Sequence, residues 1–533
     1  MNQEASSAKT YTELPDLPKA LITRSPLGWL TLFGPGAVIA SVTIGTGELI
    51  FSTRGGVLFG YNILFLFLFI SVLKWFLVFG SAKHLMLTGV HPFRRMMDLP
   101  GPRGWVPLMM MVMIIIVQPI WMSFHSSTLG NYFALLTGTA DSLNGGAQFM
   151  WAMITIGAVV ALSFSGGYTM MERIQIVVVT FLMLAAIISL IMYNPNYLAM
   201  LKGFVTPIFG DYPDWIRDKY PNVWGTAKWV ELTTYVGVVG GAAFDYLAYC
   251  TWLRDKRWGY AGCQPPNEQE IQAIAADPQH PARIWVKAPM IDCGISFCLI
   301  VLFSAVFVAS GVELLGPNQE IPDSADMLGQ QSRLLTRVNA WLYPLYVSGA
   351  ILTMLGTLYG TIEIGVAVVT EVLRAFNEKW INANRQMVEK GVLIWQTCIA
   401  IVAVLAMFSV VFSAETAGGP NLAKEIILQV LRPINLYTGV LVSGIICLMN
   451  LWIEKRFTPR PLHSPMWTQC MYVLAGIIFL ALGIKGYWDN HTPDGNWLQT
   501  RWFSIGGILA VAVVCAIAAN VFHRWFADGK TDR

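Results

Sequence analysis

Apolar residues fall along this chain in long blocks separated by short polar stretches. A membrane-spanning helix needs ~20 predominantly apolar residues. That criterion predicts twelve spans, near 28–50, 59–82, 105–135, 147–166, 172–193, 230–252, 288–312, 337–373, 391–413, 425–453, 466–488 and 502–524. An even count places both termini on one side. The third and eighth blocks exceed one crossing, which predicts tilt or helical extension beyond the bilayer. Two connections are long: Asn194 to Trp229, rich in Pro, Tyr and Trp, and Arg254 to Pro289, with a helix-like stretch around Asn267–Ala276. Either suits a gate as well as an ordinary ordered loop.

Composition agrees with the pattern. Of 533 residues, 55% are apolar and only 13% charged, with mean hydropathy +0.54, whereas a soluble domain carries roughly 25% charge. The expectation is an all-α polytopic membrane protein seated in a lipid bilayer. A net charge of +3, without a basic block or basic face, gives no support for a nucleic-acid partner. Twenty Trp and eighteen Tyr suit two membrane interfaces. Lys and Arg number 23 on the side of the N-terminus and 10 on the other, with Lys74 and Arg432 inside apolar blocks. The positive-inside rule then places both termini in the cytoplasm of a cell or inner membrane.

Chemistry classes narrow next. Seven of the eight cysteines lie in or beside apolar blocks, leaving Cys263 in a polar loop, and none forms C-x-x-C, so they read as buried small residues. The polar, mixed-charge start, Met1 to Arg24, does not read as a signal peptide. No G-x-x-x-x-G-K-[ST] loop is present for ATP, no large soluble domain interrupts the spans, and no cofactor is expected. The motifs H-E-x-x-H and G-x-S-x-G, and paired aspartates with a GxGD-type loop, are absent, which argues against an enzyme.

Two spans carry glycine interruptions followed by an acid. The first contains Gly34-Pro35-Gly36 and then Gly45-Thr46-Gly47-Glu48; the sixth contains Gly237, Gly240 and Gly241, followed by Asp245. A five-span offset sets the second copy upside-down relative to the first. Paired, glycine-interrupted segments at matching positions of two inverted halves point to the binding site of a secondary transporter. Glycine lets the backbone leave helical geometry, and the freed carbonyls and amides are tolerated in a bilayer only beside a polar cavity. An ionisable group at membrane centre costs at least ~2.5–3.5 kcal/mol. Close helix packing is the other use of such small residues, and a buried Lys or Arg is the other partner for Asp245.

The series Gly34-Pro35-Gly36, Gly45-Thr46-Gly47-Glu48, Gly56 and Gly60-Tyr61 resembles, without gaps, the first span of the Nramp divalent-metal transporters, patterned G-P-G, D-P-G-N, G and G-Y. The resemblance implies a LeuT-type fold: two inverted five-helix repeats, at 28–193 and 230–453, joined by an extracellular loop at 194–229. Two further helices follow within 454–524, and cytoplasmic tails lie at 1–27 and 525–533. It also implies a symporter-like metal carrier, but the motifs depart from the family. Gly45 and Glu48 stand where the family binds metal with Asp and Asn, and Thr46 replaces Pro. The sixth span has Phe244, Asp245 or Tyr246 where the family has Met and a nearby His, and Phe124 and Ser127 align with acids tied to proton transport. Loss of the thioether favours hard cations such as Mg²⁺ or Mn²⁺ over softer metals.

The site expected is therefore Glu48 and Asp245 as metal ligands, with Gly45, Thr46, Gly240 and Tyr246 around them. His125, among Ser123, Ser126 and Ser127, suits either a proton acceptor or a neutral hydrogen-bonded group. Glu363 is a further candidate for coupling H⁺ or Na⁺, and Glu371 reads as interfacial. Lys74 and Arg432 suit fixed counter-ions or snorkelling side chains. The expected function is secondary-active transport of a divalent cation by alternating access. Ion-coupled transport of a small organic solute on the same fold is the alternative.

Overall fold

The computed structural model describes residues 14–23, 25–45, 48–322, 343–413, 433–489 and 497–526. The first predicted span enters through a bent pair, Pro26–Leu32 followed by Pro35–Thr43 (α1), at 79°. Helix α1 ends where Ile44 leaves helical geometry, at φ −76° and ψ 73°. Thr46 and Gly47 lie outside the described residues. Beyond them the chain resumes as a π-helical turn, Glu48–Ser52, and continues as Thr53–Phe59 (α2). After a turn at Gly60 comes the second predicted span, Ile63–Thr88 (α3).

Helix α4, Trp105–Leu136, contains Pro119. Proline has no N–H for the carbonyl four residues back, and the indole Nε1 of Trp395 lies 3.5 Å from that Ile115 oxygen. The predicted fourth and fifth spans fall in one helical run, Ala147–Tyr193 (α5). At 1.5 Å per residue its 47 residues reach roughly 70 Å, over twice a hydrocarbon core. The sixth span is Lys228–Val238 (α6) and Ala243–Lys256 (α7), separated by four non-helical residues. The stretch expected near 267–276 forms the helix Glu268–Ala276, closed by reciprocal bonds between Asn267 and Glu270.

Lys287–Ser310 (α8), Tyr343–Phe376 (α9), Glu378–Ser413 (α10), Val442–Phe457 (α11), Met466–Asp489 (α12) and Trp497–Phe526 (α13) complete the bundle. Where twelve spans were expected, ten helices among the described residues are long and apolar enough to cross a membrane, or eleven if the bent pair is one span. The bent pair corresponds to the first expected span, and the expected span without a separate counterpart is the fifth, 172–193, which continues the same helical run as the fourth. No sheet occurs among the described residues.

Packing places the two interrupted spans at the centre. Helix α1 lies against α5, α7, α8 and α9, while α7 lies against α3 and α9. The outer helices are more exposed: Val513, Val514 and Ile517 of α13 and Ile477 and Ile484 of α12 present apolar side chains outward, as a lipid-facing surface requires. Buried polar side chains concentrate on α1, α3, α4, α8 and α9, around the breaks.

Candidate functional site

The break in the sixth span is built by two glycines in left-handed conformations, Gly240 at φ +81° and Gly241 at φ +86°, which L side chains adopt only under strain. Helix α6 ends at Val238, and α7 restarts with Asp245 in its first turn. The Ala242 N–H donates to Asp245 Oδ2 at 2.6 Å, closing the restart as a helix cap. The carboxylate is half-buried rather than sealed, because it borders a cavity of about 80 Å³.

The cavity wall includes Thr43 from α1, Gln118, Trp121 and His125 from α4, Gly237, Gly241, Ala242 and Asp245 from the sixth span, Thr361 from α9, and Asn435 and Thr438. Among the described residues, no Met or Cys contributes to it. The Thr43 hydroxyl is buried and meets no hydrogen-bond partner among the described residues. Gln118 donates to the Thr361 carbonyl at 2.6 Å, and Asn435 donates to the Thr234 carbonyl at 3.0 Å, leaving their amide oxygens as acceptors. The His125 ring stacks on Trp121 with centroids 5.5 Å apart.

Glu48 does not line this cavity. Fully buried, its Oε2 accepts from Ser52 and from Ser304 at 2.7 Å, while Oε1 has no partner among the described residues. Lys74 is also fully buried. Its ammonium donates to the carbonyls of Val239 and Gly241, both at 2.6 Å, and approaches that of Gly237 at 3.4 Å. Both carboxylates are within its electrostatic reach.

The remaining expected residues divide. Tyr246 donates its hydroxyl to the Gly240 carbonyl. The Gly45 carbonyl accepts from Leu49 N at 3.0 Å, so the backbone oxygens of both glycines already have internal donors. Gly45 earns its place by close approach: a Cβ there would collide with Thr357 Oγ1. Glu363 accepts from Ser163 and lies outside the cavity wall. Thr46 and Arg432 fall outside the described residues.

Asp292 of α8 was not singled out from sequence. Its carboxylate accepts from Gly34 N at 3.0 Å, Gly36 N at 2.7 Å and Tyr249 Oη at 2.9 Å, fixing the start of α1 against α8 and α7. Gln118, Asn435 and Thr438 were also missed. For Gln118 and Asn435 the available signal was their closeness to Pro119 and Pro433 inside apolar blocks, where a proline frees backbone groups and invites a polar neighbour.

The profile of the family described as natural resistance-associated macrophage protein-like matches residues 36–485. This chain belongs to the Nramp family. It is accordingly a multi-pass membrane transporter rather than an enzyme, in a family that carries metal ions. The resemblance first evident over Gly34 to Tyr61 extends through almost the whole bundle. No curated protein matches the chain.

Solved structures share its LeuT-type fold. A manganese transporter from Eremococcus coleocola, in complex with an aromatic bis-isothiourea compound, superposes with TM-score 0.65 at 15% identity, covering 99% of this chain and 100% of that one. A histidine-to-alanine variant of that transporter gives the same values. A glutamate-to-glutamine variant superposes with TM-score 0.65 at 15% identity, covering 97% and 99%. At that identity the likeness concerns the fold. Within this Nramp chain, the centre holds a buried lysine and a cavity that has no sulfur among the described residues.

Proposed function

We propose that this Nramp-family chain carries a hard divalent cation, such as Mg²⁺ or Mn²⁺, across the cell membrane by alternating access, with Asp245 as the charged ligand. The observation that carries the reading is the cavity at Asp245. It is small and, among the described residues, lacks sulfur and combines one carboxylate with neutral oxygen donors at Thr43, Gln118, Asn435 and Thr438. Oxygen donors suit Mg²⁺, Ca²⁺ and Mn²⁺, and Mg²⁺ in particular keeps part of its water shell. A volume of about 80 Å³ admits an ion with a few waters. It is well below the ~300 Å³ at which small-molecule pockets begin, which favours the ion over an organic solute. The manganese named for the Eremococcus coleocola protein agrees with a cargo of this class.

Exposure supports Asp245 over Glu48 as the direct ligand. Asp245 faces the cavity, whereas Glu48 is fully buried and is not among the residues of its wall. His125, on the same wall, is the group placed to exchange a coupling proton, and both termini are assigned to the cytoplasm on the Lys and Arg distribution.

The test is uptake of Mg²⁺, Ca²⁺, Mn²⁺, Co²⁺ and Cd²⁺ into proteoliposomes, with internal pH recorded. Saturable influx of the hard ions, lost in Asp245→Asn, is expected. Accompanying acidification that disappears in His125→Gln would assign the coupling ion. Absence of flux for every metal, from protein shown to be folded, would overturn the reading.

A further inference from the structure

The carbonyls of Gly237, Val239 and Gly241 converge on one point, and a side-chain ammonium fills it. A helix C-terminus presents unsatisfied carbonyls and the negative end of the helix dipole; here α6 ends at Val238, so Gly237 supplies a terminal carbonyl and Val239 and Gly241 supply two from the unwound turn. Interrupted transporter helices use this arrangement to hold coupling cations. Rings of carbonyls replace the hydration shell of monovalent ions in the same way. An ammonium resembles a monovalent cation in charge and size, and its three N–H donors match the three oxygens.

We propose that this carbonyl triad is a monovalent-cation site permanently filled by the Lys74 ammonium. The tether supplies from the chain the positive charge that a free ion would otherwise supply, opposite the Glu48 and Asp245 carboxylates. Lys74 reaches it from α3, outside both interrupted spans, and is 0% exposed, so no solvent-borne ion competes while the lysine is present. The aliphatic stem fits as closely as the head: a Cβ on Gly240 would lie 3.2 Å from Lys74 Cδ. This inference goes beyond the choice of cargo and holds whatever ion passes Asp245. Its consequence is that the native chain takes no Na⁺ or K⁺ into this break.

The experiment is thermal unfolding of the purified full-length protein in detergent, at fixed ionic strength, in N-methylglucamine, Na⁺, K⁺ or methylammonium chloride. Native protein is expected to melt at one temperature in all four. Lys74→Ala, which empties the triad, is expected to melt lower in N-methylglucamine and to recover, saturably, with K⁺ or methylammonium. Lys74→Met, which fills the space without charge, is expected to show no such recovery. If Lys74→Ala is too unstable to purify in N-methylglucamine, the same comparison is read as the yield of monodisperse protein after extraction in each salt. A Lys74→Ala protein that no monovalent cation restores, by melting or by yield, overturns the proposal. So does an equal cation response in Lys74→Met. Metal uptake is not read in these measurements, so they fail independently of the assignment of Asp245.

Discussion

Arg254 donates to both carboxylate oxygens of Glu371, at 2.6 and 2.5 Å, tying the second half of the interrupted sixth span to α9. Arg374 pairs with the same carboxylate. Glu371 is almost completely buried, and the two guanidinium side chains are 20% and 10% exposed. The sequence suggested an interfacial role for this acid; in the fold it is the hub of a three-residue clasp.

Glu371→Gln strands two partly buried positive charges. Removing one partner of a buried pair costs on the order of 3 kcal/mol. The variant is therefore expected to unfold at clearly lower temperature in detergent, whereas Arg254→Lys, which keeps the charge but replaces the guanidinium nitrogen that reaches both oxygens, should lie between it and the native protein. Equal melting temperatures for all three would show that the clasp contributes nothing to stability.

The pH dependence of stability has a source beside this clasp. His91 Nδ1 accepts from Phe93 N at 3.3 Å, which leaves Nε2–H to donate to the Leu247 carbonyl, also at 3.3 Å. Burial pushes the imidazole down to about 4, against the opposing pull of Glu371 and with Arg254 adding to the depression. The unfolded chain takes up this proton near pH ~6.5, where the folded chain refuses it. Stability from this residue is thus present above the unfolded value and lost as pH falls toward 4. Melting temperature measured from pH 7 to 4.5 is expected to fall less steeply in His91→Gln than in the native protein.

Gly45 and Thr357 form a close contact that a single methyl group would destroy. A Cβ at Gly45 would overlap Thr357 Oγ1, whose hydroxyl donates to Ser41 O at 3.1 Å. Gly45→Ala is expected to reduce metal uptake severely. Adding Thr357→Ala should restore part of it, because neighbouring sites are non-additive when they share one space. A double variant no better than Gly45→Ala would place the cause elsewhere.

Asp292 holds three donors, so the two ways of removing its charge should differ. Asp292→Asn retains acceptor capacity at one oxygen, whereas Asp292→Ala leaves Gly34 N, Gly36 N and Tyr249 Oη without the acceptor they now share. An orphaned buried donor costs about 1–3 kcal/mol. Asp292→Ala is expected to be the less stable of the two by thermal unfolding.

Much of this architecture was legible in the chain. Long apolar blocks mark bilayer helices because the bilayer satisfies no backbone group, and the Gly45 to Glu48 and Gly240 to Asp245 segments mark the interruptions because only glycine spares the backbone there. The site itself was legible in part. Asp245 stood out as an acid after a glycine pair, but sequence spacing could not show that Lys74, 163 residues before Gly237, reaches the carbonyls of that break. Nor could it separate Glu48, sealed by Ser52 and Ser304, from Asp245, open to the cavity. Those distinctions depend on how α3 and α8 pack against the breaks, a long-range property that local pattern does not carry.

The most direct test of the central claim is anomalous diffraction from crystals of the full-length protein equilibrated with Mn²⁺. A manganese peak is expected in the cavity between Asp245 and Thr43, within coordination distance of the Asp245 carboxylate and absent from Asp245→Asn crystals. A peak seated instead at Glu48, or one that persists in Asp245→Asn, would contradict it.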